Sequence, residues 1–97
     1  MGGGTIKTHL HAVVHGKVQG VYFRAFVEDV AIALGLTGRV RNLSSGVEVE
    51  VEAEGDEDKL RKLEERLRTG TTRSRVDRVD VEWLEPTGRY SDFRVSY

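Results

Sequence analysis

The sequence contains no cysteine, so neither a disulfide nor thiol chemistry is open to it. No apolar run approaches the roughly 20 residues that a bilayer-spanning helix needs. The start, Met1-Gly-Gly-Gly-Thr5, carries no hydrophobic signal segment, and Ile6 breaks the myristoylation pattern, which wants Ser or Thr there. A net charge of −1 removes the electrostatic argument for a nucleic acid or an anionic membrane as partner. The expectation is a cytoplasmic monomer with no nucleic-acid and no membrane partner. Also missing are G-x-x-x-x-G-K-[ST], G-x-G-x-x-G after a strand, and G-x-S-x-G, the usual supports of ATP, dinucleotide and serine-hydrolase chemistry. Side-chain amides are almost absent: Gln19 and Asn42 are the only two in a chain that is 32% charged, a balance that fits a thermophilic source. The two that remain are candidates for function.

What is present suits one domain. The 97 residues can bury a single modest core, expected over 7–97 after a flexible N-terminal lead-in over 1–6. From Lys7 to His15, Leu10, Ala12 and Val14 alternate with His9, His11 and His15, the period of a strand with one buried face. Phe23, Phe26, Val27, Val30, Ala31 and Leu34 form a helical stripe that stops at Gly35. Thr37 to Leu43 and Val47 to Glu54 read as two strands joined across Ser44-Ser45-Gly46 in a hairpin. Asp56 is placed to cap a second helix with its stripe at Leu60, Leu63 and Leu67, ending near Gly70. Val76 to Trp83 is a fourth strand with an irregularity, since Val76 is out of phase with Val79, Val81 and Trp83. Pro86 lies in the connection to a short last strand at Phe93 to Tyr97. The order β-α-β-β-α-β plus a short C-terminal strand predicts a ferredoxin-like α+β sandwich, with two helices on one face of a mostly antiparallel sheet.

The chemistry concentrates in Gly16-Lys-Val-Gln-Gly-Val-Tyr-Phe-Arg24, which leaves a strand, turns, and enters a helix. Two glycines let successive N–H groups converge on one point. The helix start adds unpaired N–H groups and a positive dipole end, both suited to a phosphate. Arg24 can close on the same anion with a two-pronged donor. Gly16, Lys17, Val18, Gln19, Gly20, Val21 and Arg24 are therefore the candidate phosphate-binding residues. Asn42 ends the second strand at a related edge of the same sheet and joins Arg24 as a candidate catalytic residue. The ordinary readings are a strand-to-helix turn, a solvated arginine and a turn-forming asparagine; their juxtaposition weakens all three.

Two imidazoles at i,i+2 among His9, His11 and His15 could ligate a metal, but a structural site wants four ligands in defined geometry. A wet face of mixed charge, with Arg39 and Arg41 opposite Glu48 to Glu54, is the reading adopted, and no metal is expected. That face exposes glutamates where an RNA-binding sheet would show aromatics. Asn42-Leu43-Ser44 fits a glycosylation acceptor, which means little without a secretion signal.

The loop segment, together with Gly38-Arg-Val-Arg-Asn42-Leu-Ser-Ser-Gly46-Val-Glu48, resembles both signature blocks of the acylphosphatases. Val76-Asp77-Arg78-Val79 and Phe93-Arg94-Val95 extend the likeness over nearly the whole chain. The sequence departs from the family pattern at Ser45, at Thr71-Thr72 after Gly70, and at Ser96 before the last Tyr. The resemblance implies hydrolysis of small-molecule acyl phosphates to a carboxylate and inorganic phosphate, with no metal and no organic cofactor. It places phosphate binding on Arg24 and the Gly16–Val21 loop and orientation of the attacking water on Asn42. Two rivals are a binding domain that uses this fold without turnover and the acylphosphatase-like domain of hydrogenase-maturation factors. The absence of an appended domain argues against the second.

Overall fold

A computed structural model describes residues 6–97. The proposed lead-in over 1–6 therefore lies outside the described residues except for Ile6, whose carbonyl accepts the N–H of Glu57 at 2.8 Å. Seven elements follow in order: β1 (Lys7–Lys17), α1 (Phe23–Ala33), β2 (Thr37–Asn42), β3 (Glu48–Asp56), α2 (Glu57–Thr69), β4 (Arg75–Leu84) and β5 (Phe93–Ser96). The strands form one sheet in the order β4-β1-β3-β2-β5, antiparallel throughout except for β2 beside β5.

Register explains the core. Leu10, Ala12 and Val14 of β1 stand opposite Ala53, Val51 and Val49 of β3. All six side chains are buried, and Val40, Val79 and Phe93 extend the layer across the other strands. Against it pack Phe23, Val27 and Ala31 of α1 and Leu60, Leu63 and Leu67 of α2. This is the ferredoxin-like sandwich. Helix α1 ends in a Schellman arrangement: Leu36 N–H reaches the Ala31 carbonyl and Gly35 N–H the Ile32 carbonyl, with Gly35 at φ 72°.

The irregularity falls where the phase of Val76 placed it. Between β1 and β4 the register shifts at His15/Gly16, so that Gly16 faces Val76 and His15 faces Arg78, with Asp77 left over. The extra residue swings Val76 toward the core, against which it packs partly buried. Gly16 makes this possible. At φ 141° its missing Cβ would stand 2.0 Å from the Arg75 carbonyl oxygen.

Three local expectations need correction. Strand β3 begins at Glu48, and Val47 lies outside it, 56% exposed, with its carbonyl accepting the Gly16 N–H. Asp56 does stand at the N-cap of α2, but it makes no side-chain capping bond and its carboxylate meets Lys7. The outer sheet face is not wet throughout: His9 and Glu54 are buried there. The segment between β4 and β5 covers them, with Thr87 and Gly88 bonded to Glu54 and the Tyr90 ring 6.4 Å from the His9 ring. The rest of that face is a lattice of pairs, including Arg39–Glu52, Arg41–Glu50, His11–Glu50 and His15–Asp80. Among the described residues no group of His, Asp and Glu has the geometry of a metal site, and no helix is long and apolar enough to cross a membrane.

Candidate active site

Strand β1 runs out at Lys17, and five residues later α1 begins with Tyr22 as its N-cap. Gly20 takes φ 72° and Tyr22 takes φ 60°, so the chain curls into the helix through left-handed backbone. The first helical bond is Phe26 N–H to the Tyr22 carbonyl. Among the described residues, the N–H groups of Gly20 to Ala25 find no protein acceptor. A helix start leaves such donors unpaired and carries the positive end of the dipole. No acidic residue stands in the first turn of α1 to offset it.

Of Gly20 to Ala25, all but Val21 border a cavity of about 440 Å³. The loop and helix start supply Val18, Gly20 and Tyr22 to Ala25; β2 supplies Asn42, and the end of the chain supplies Val95 and Tyr97. The parallel pairing of β5 with β2 explains the last contribution. It runs Arg41 beside Ser96, so both strands finish at the same end of the sheet. Glu28, one turn along α1 from Arg24, fixes β5 there by accepting the Val95 N–H at 3.1 Å.

Arg24 is unlike most arginines of the chain. Arg39, Arg41, Arg61, Arg68, Arg75, Arg78, Arg89 and Arg94 each hold a carboxylate. Among the described residues Arg24 holds none. Its Nη1 makes one long bond of 3.4 Å to the Ser96 carbonyl, and its guanidinium lies 4.7 Å from the centre of the Tyr97 ring. A cation with five donors and one weak acceptor is left able to grip an anion.

Asn42 is the complementary feature. Its Oδ1 is buried and has no hydrogen-bond partner among the described residues. Such an acceptor costs about 1–3 kcal/mol to leave unpaired, so its presence beside Arg24 in this cavity calls for a small donor such as water.

Of the residues singled out from the sequence, Val18, Gly20, Arg24 and Asn42 line this cavity, whereas Gly16, Lys17, Gln19 and Val21 do not. Gly16 and Lys17 still belong to β1, and the Gly16 amide is committed to Val47. The Gln19 side chain turns away, its Nε2 donating to the carbonyls of Leu43 and Glu48 at 2.8 Å each. Tyr22, Phe23, Ala25, Val95 and Tyr97 were not anticipated as lining residues. The placement of Tyr22 inside the motif was a usable signal; that of Tyr97 depends on the strand order.

Comparison with known proteins decides the lineage. The acylphosphatase family model matches residues 10–95. The chain belongs to the acylphosphatase family. An acylphosphatase from Dehalococcoides mccartyi is 51% identical over 88 residues, which cover 91% of this chain and 97% of the relative. The crystal structure of the acylphosphatase from Bacillus subtilis superposes with a TM-score of 0.88 at 33% identity, covering 93% of this chain and 99% of that one. Full-length HypF, in its phosphate- and nucleotide-bound form, contains a similar region: TM-score 0.87, 30% identity, all of this chain against 13% of that one. The chain is accordingly an enzyme that hydrolyses acyl phosphates.

Proposed function

We propose that the cavity between α1 and β2 is the hydrolytic site, with Arg24 and the loop that leads into α1 binding the phosphoryl group and Asn42 orienting the attacking water. The observation that carries this reading is the buried, unpartnered Oδ1 of Asn42 lining the same cavity as Arg24. Free amides at Gly20 to Ala25 seat the phosphoryl oxygens, and the Arg24 guanidinium spreads its donors over them as charge redistributes. A water that donates one hydrogen to Asn42 Oδ1 is held for in-line attack. The new P–O bond forms as the bond from phosphorus to the acyl oxygen breaks, and the carboxylate leaves with that electron pair. The second product is inorganic phosphate, whose own oxygens take the proton of the water.

A carboxylate is a weakly basic leaving group, so positioning and charge stabilisation suffice without a general acid or base. This agrees with a cavity in which, among the described residues, Arg24 and Asn42 are the only side chains with charge or amide chemistry. No step in this sequence requires a metal or cofactor. Residues 7–97 act in this reading as a single monomeric domain in the cytoplasm, on a small molecule rather than a nucleic acid or membrane. The pairing of Arg39 and Arg41 with carboxylates on the outer face supports the exclusion of a nucleic acid or an anionic membrane. The test is hydrolysis of benzoyl phosphate by the purified protein in the presence of a chelator. Turnover that survives chelation and is lost in Arg24→Ala supports the site; turnover that survives Arg24→Ala places the chemistry elsewhere.

A further inference from the structure

Arg24 and Asn42 account for the phosphoryl group and the water, and the rest of the cavity wall is of one kind. Val18, Gly20, Phe23, Ala25 and Val95 carry no polar side chain, and two tyrosines complete the lining among the described residues. Neither tyrosine is there to fill the core: Tyr22 is 78% exposed and Tyr97 is 99% exposed. Tyr22 is also the one non-glycine residue at positive φ among the described residues, and its side chain caps nothing. Glycine or asparagine would take that backbone conformation more readily than an aromatic residue. An exposed aromatic held in a disfavoured conformation at the mouth of a cavity points to a contact made there. The Tyr97 ring carries the Arg24 guanidinium on it, so this wall begins where the phosphoryl site ends. Among the described residues no lysine, histidine, aspartate or glutamate lines the cavity. The one cation among the described lining residues is Arg24, which the phosphoryl group occupies.

We propose that Tyr22 and Tyr97 form the subsite for the acyl group and make this enzyme selective for acyl phosphates with aromatic or otherwise apolar acyl groups over those of dicarboxylic acids. The proposal rests on the reading of the cavity as the phosphoryl site. A flat or apolar group lies against the tyrosine rings and the valines; a second carboxylate would enter a wall that offers it no counter-charge.

The experiment compares kcat/KM for benzoyl, acetyl and succinyl phosphate in the wild type, Tyr22→Gly and Tyr22→Phe. The wild type should rank them in that order. Loss of one ring contact in Tyr22→Gly, a change its backbone accepts, should lower the benzoyl-to-acetyl ratio about five- to tenfold, and Tyr22→Phe should keep the ratio. An unchanged ratio in Tyr22→Gly, or equal loss on both substrates, would overturn the proposal and leave Tyr22 as a shaper of the loop. Preference for succinyl phosphate would overturn it too. Failure of the wild type to hydrolyse any of the three defeats the phosphoryl-site reading and this proposal with it; turnover of all three with an unchanged ratio defeats this proposal alone.

Discussion

The side-chain nitrogen of Gln19 donates to the carbonyl of Leu43, the residue after Asn42, at 2.8 Å. The same nitrogen reaches the Glu48 carbonyl, also at 2.8 Å, and Leu43 N–H pairs with Glu48 across the mouth of that turn. Gln19 thus ties the loop beside Arg24 to the turn beside Asn42. Its side chain stays out of the cavity, so the role expected of it is to position Asn42.

Gln19→Ala should lower kcat on benzoyl phosphate about tenfold by loosening Asn42, with inhibition by inorganic phosphate changing far less. Gln19→Glu keeps the shape but sets acceptor against acceptor, and should destabilise the fold by about 2 kcal/mol or more. Urea unfolding and the split between kcat and KM check both. Equal loss of phosphate affinity and turnover would mean that Gln19 serves the anion directly.

Arg24→Lys keeps the charge but loses the fork. It should reduce kcat/KM by about 10²-fold, with phosphate inhibition weakened, because a point charge cannot bond two phosphoryl oxygens in one plane. Arg24→Ala should do worse on both readouts. Steady-state kinetics with inorganic phosphate as inhibitor measure this.

Gly16→Ala should destabilise the protein by about 3 kcal/mol or more, since the added methyl meets backbone and the conformation is one that L residues avoid. The collision is with the Arg75 carbonyl oxygen at 2.0 Å. The expected signature is a lower urea midpoint with kinetics near normal in the molecules that remain folded, as Gly16 lies outside the cavity.

Glu54 makes stability depend on acid pH. Burial works to raise its carboxyl, but the Thr87 hydroxyl and N–H, His9 and the Gly88 N–H outweigh that and hold its pKa at about 2, below the ordinary 4.5. A folded pKa below the unfolded one stabilises above the unfolded value, and that stabilisation is lost as pH falls from about 4.5 toward 2. Glu54→Gln should therefore be destabilised at neutral pH and should lose less stability than the wild type between pH 4.5 and 2. Parallel unfolding curves over that range would show that the contacts to Thr87 and Gly88 contribute nothing.

Much of this architecture was legible from periodicity. Val49, Val51 and Ala53 alternate with glutamates and are buried, and the stripe Leu60, Leu63, Leu67 is the buried side of α2. Even the bulge beside Gly16 showed itself in the phase of Val76. The burial of His9 did not, because alternation assigns a residue to a sheet face without saying what covers that face. Its cover, Thr87 to Tyr90, is more than 70 residues away in sequence. For the same reason the motif pointed to Arg24 and Asn42 but not to Tyr97, which reaches the cavity only because β5 pairs with β2. Gln19 was noticed as one of two amides, but its bonds to Leu43 and Glu48 require the folded turn.

The most direct test of the division of labour at the site is Asn42→Ala, assayed for benzoyl phosphate turnover and for inhibition by inorganic phosphate in the same preparation. The expected result is a fall in kcat of about 10²-fold or more, with the phosphate inhibition constant changed less than about threefold. Loss of phosphate inhibition together with turnover, or turnover that survives the substitution, would contradict the assignment of Asn42 as the residue that holds the water.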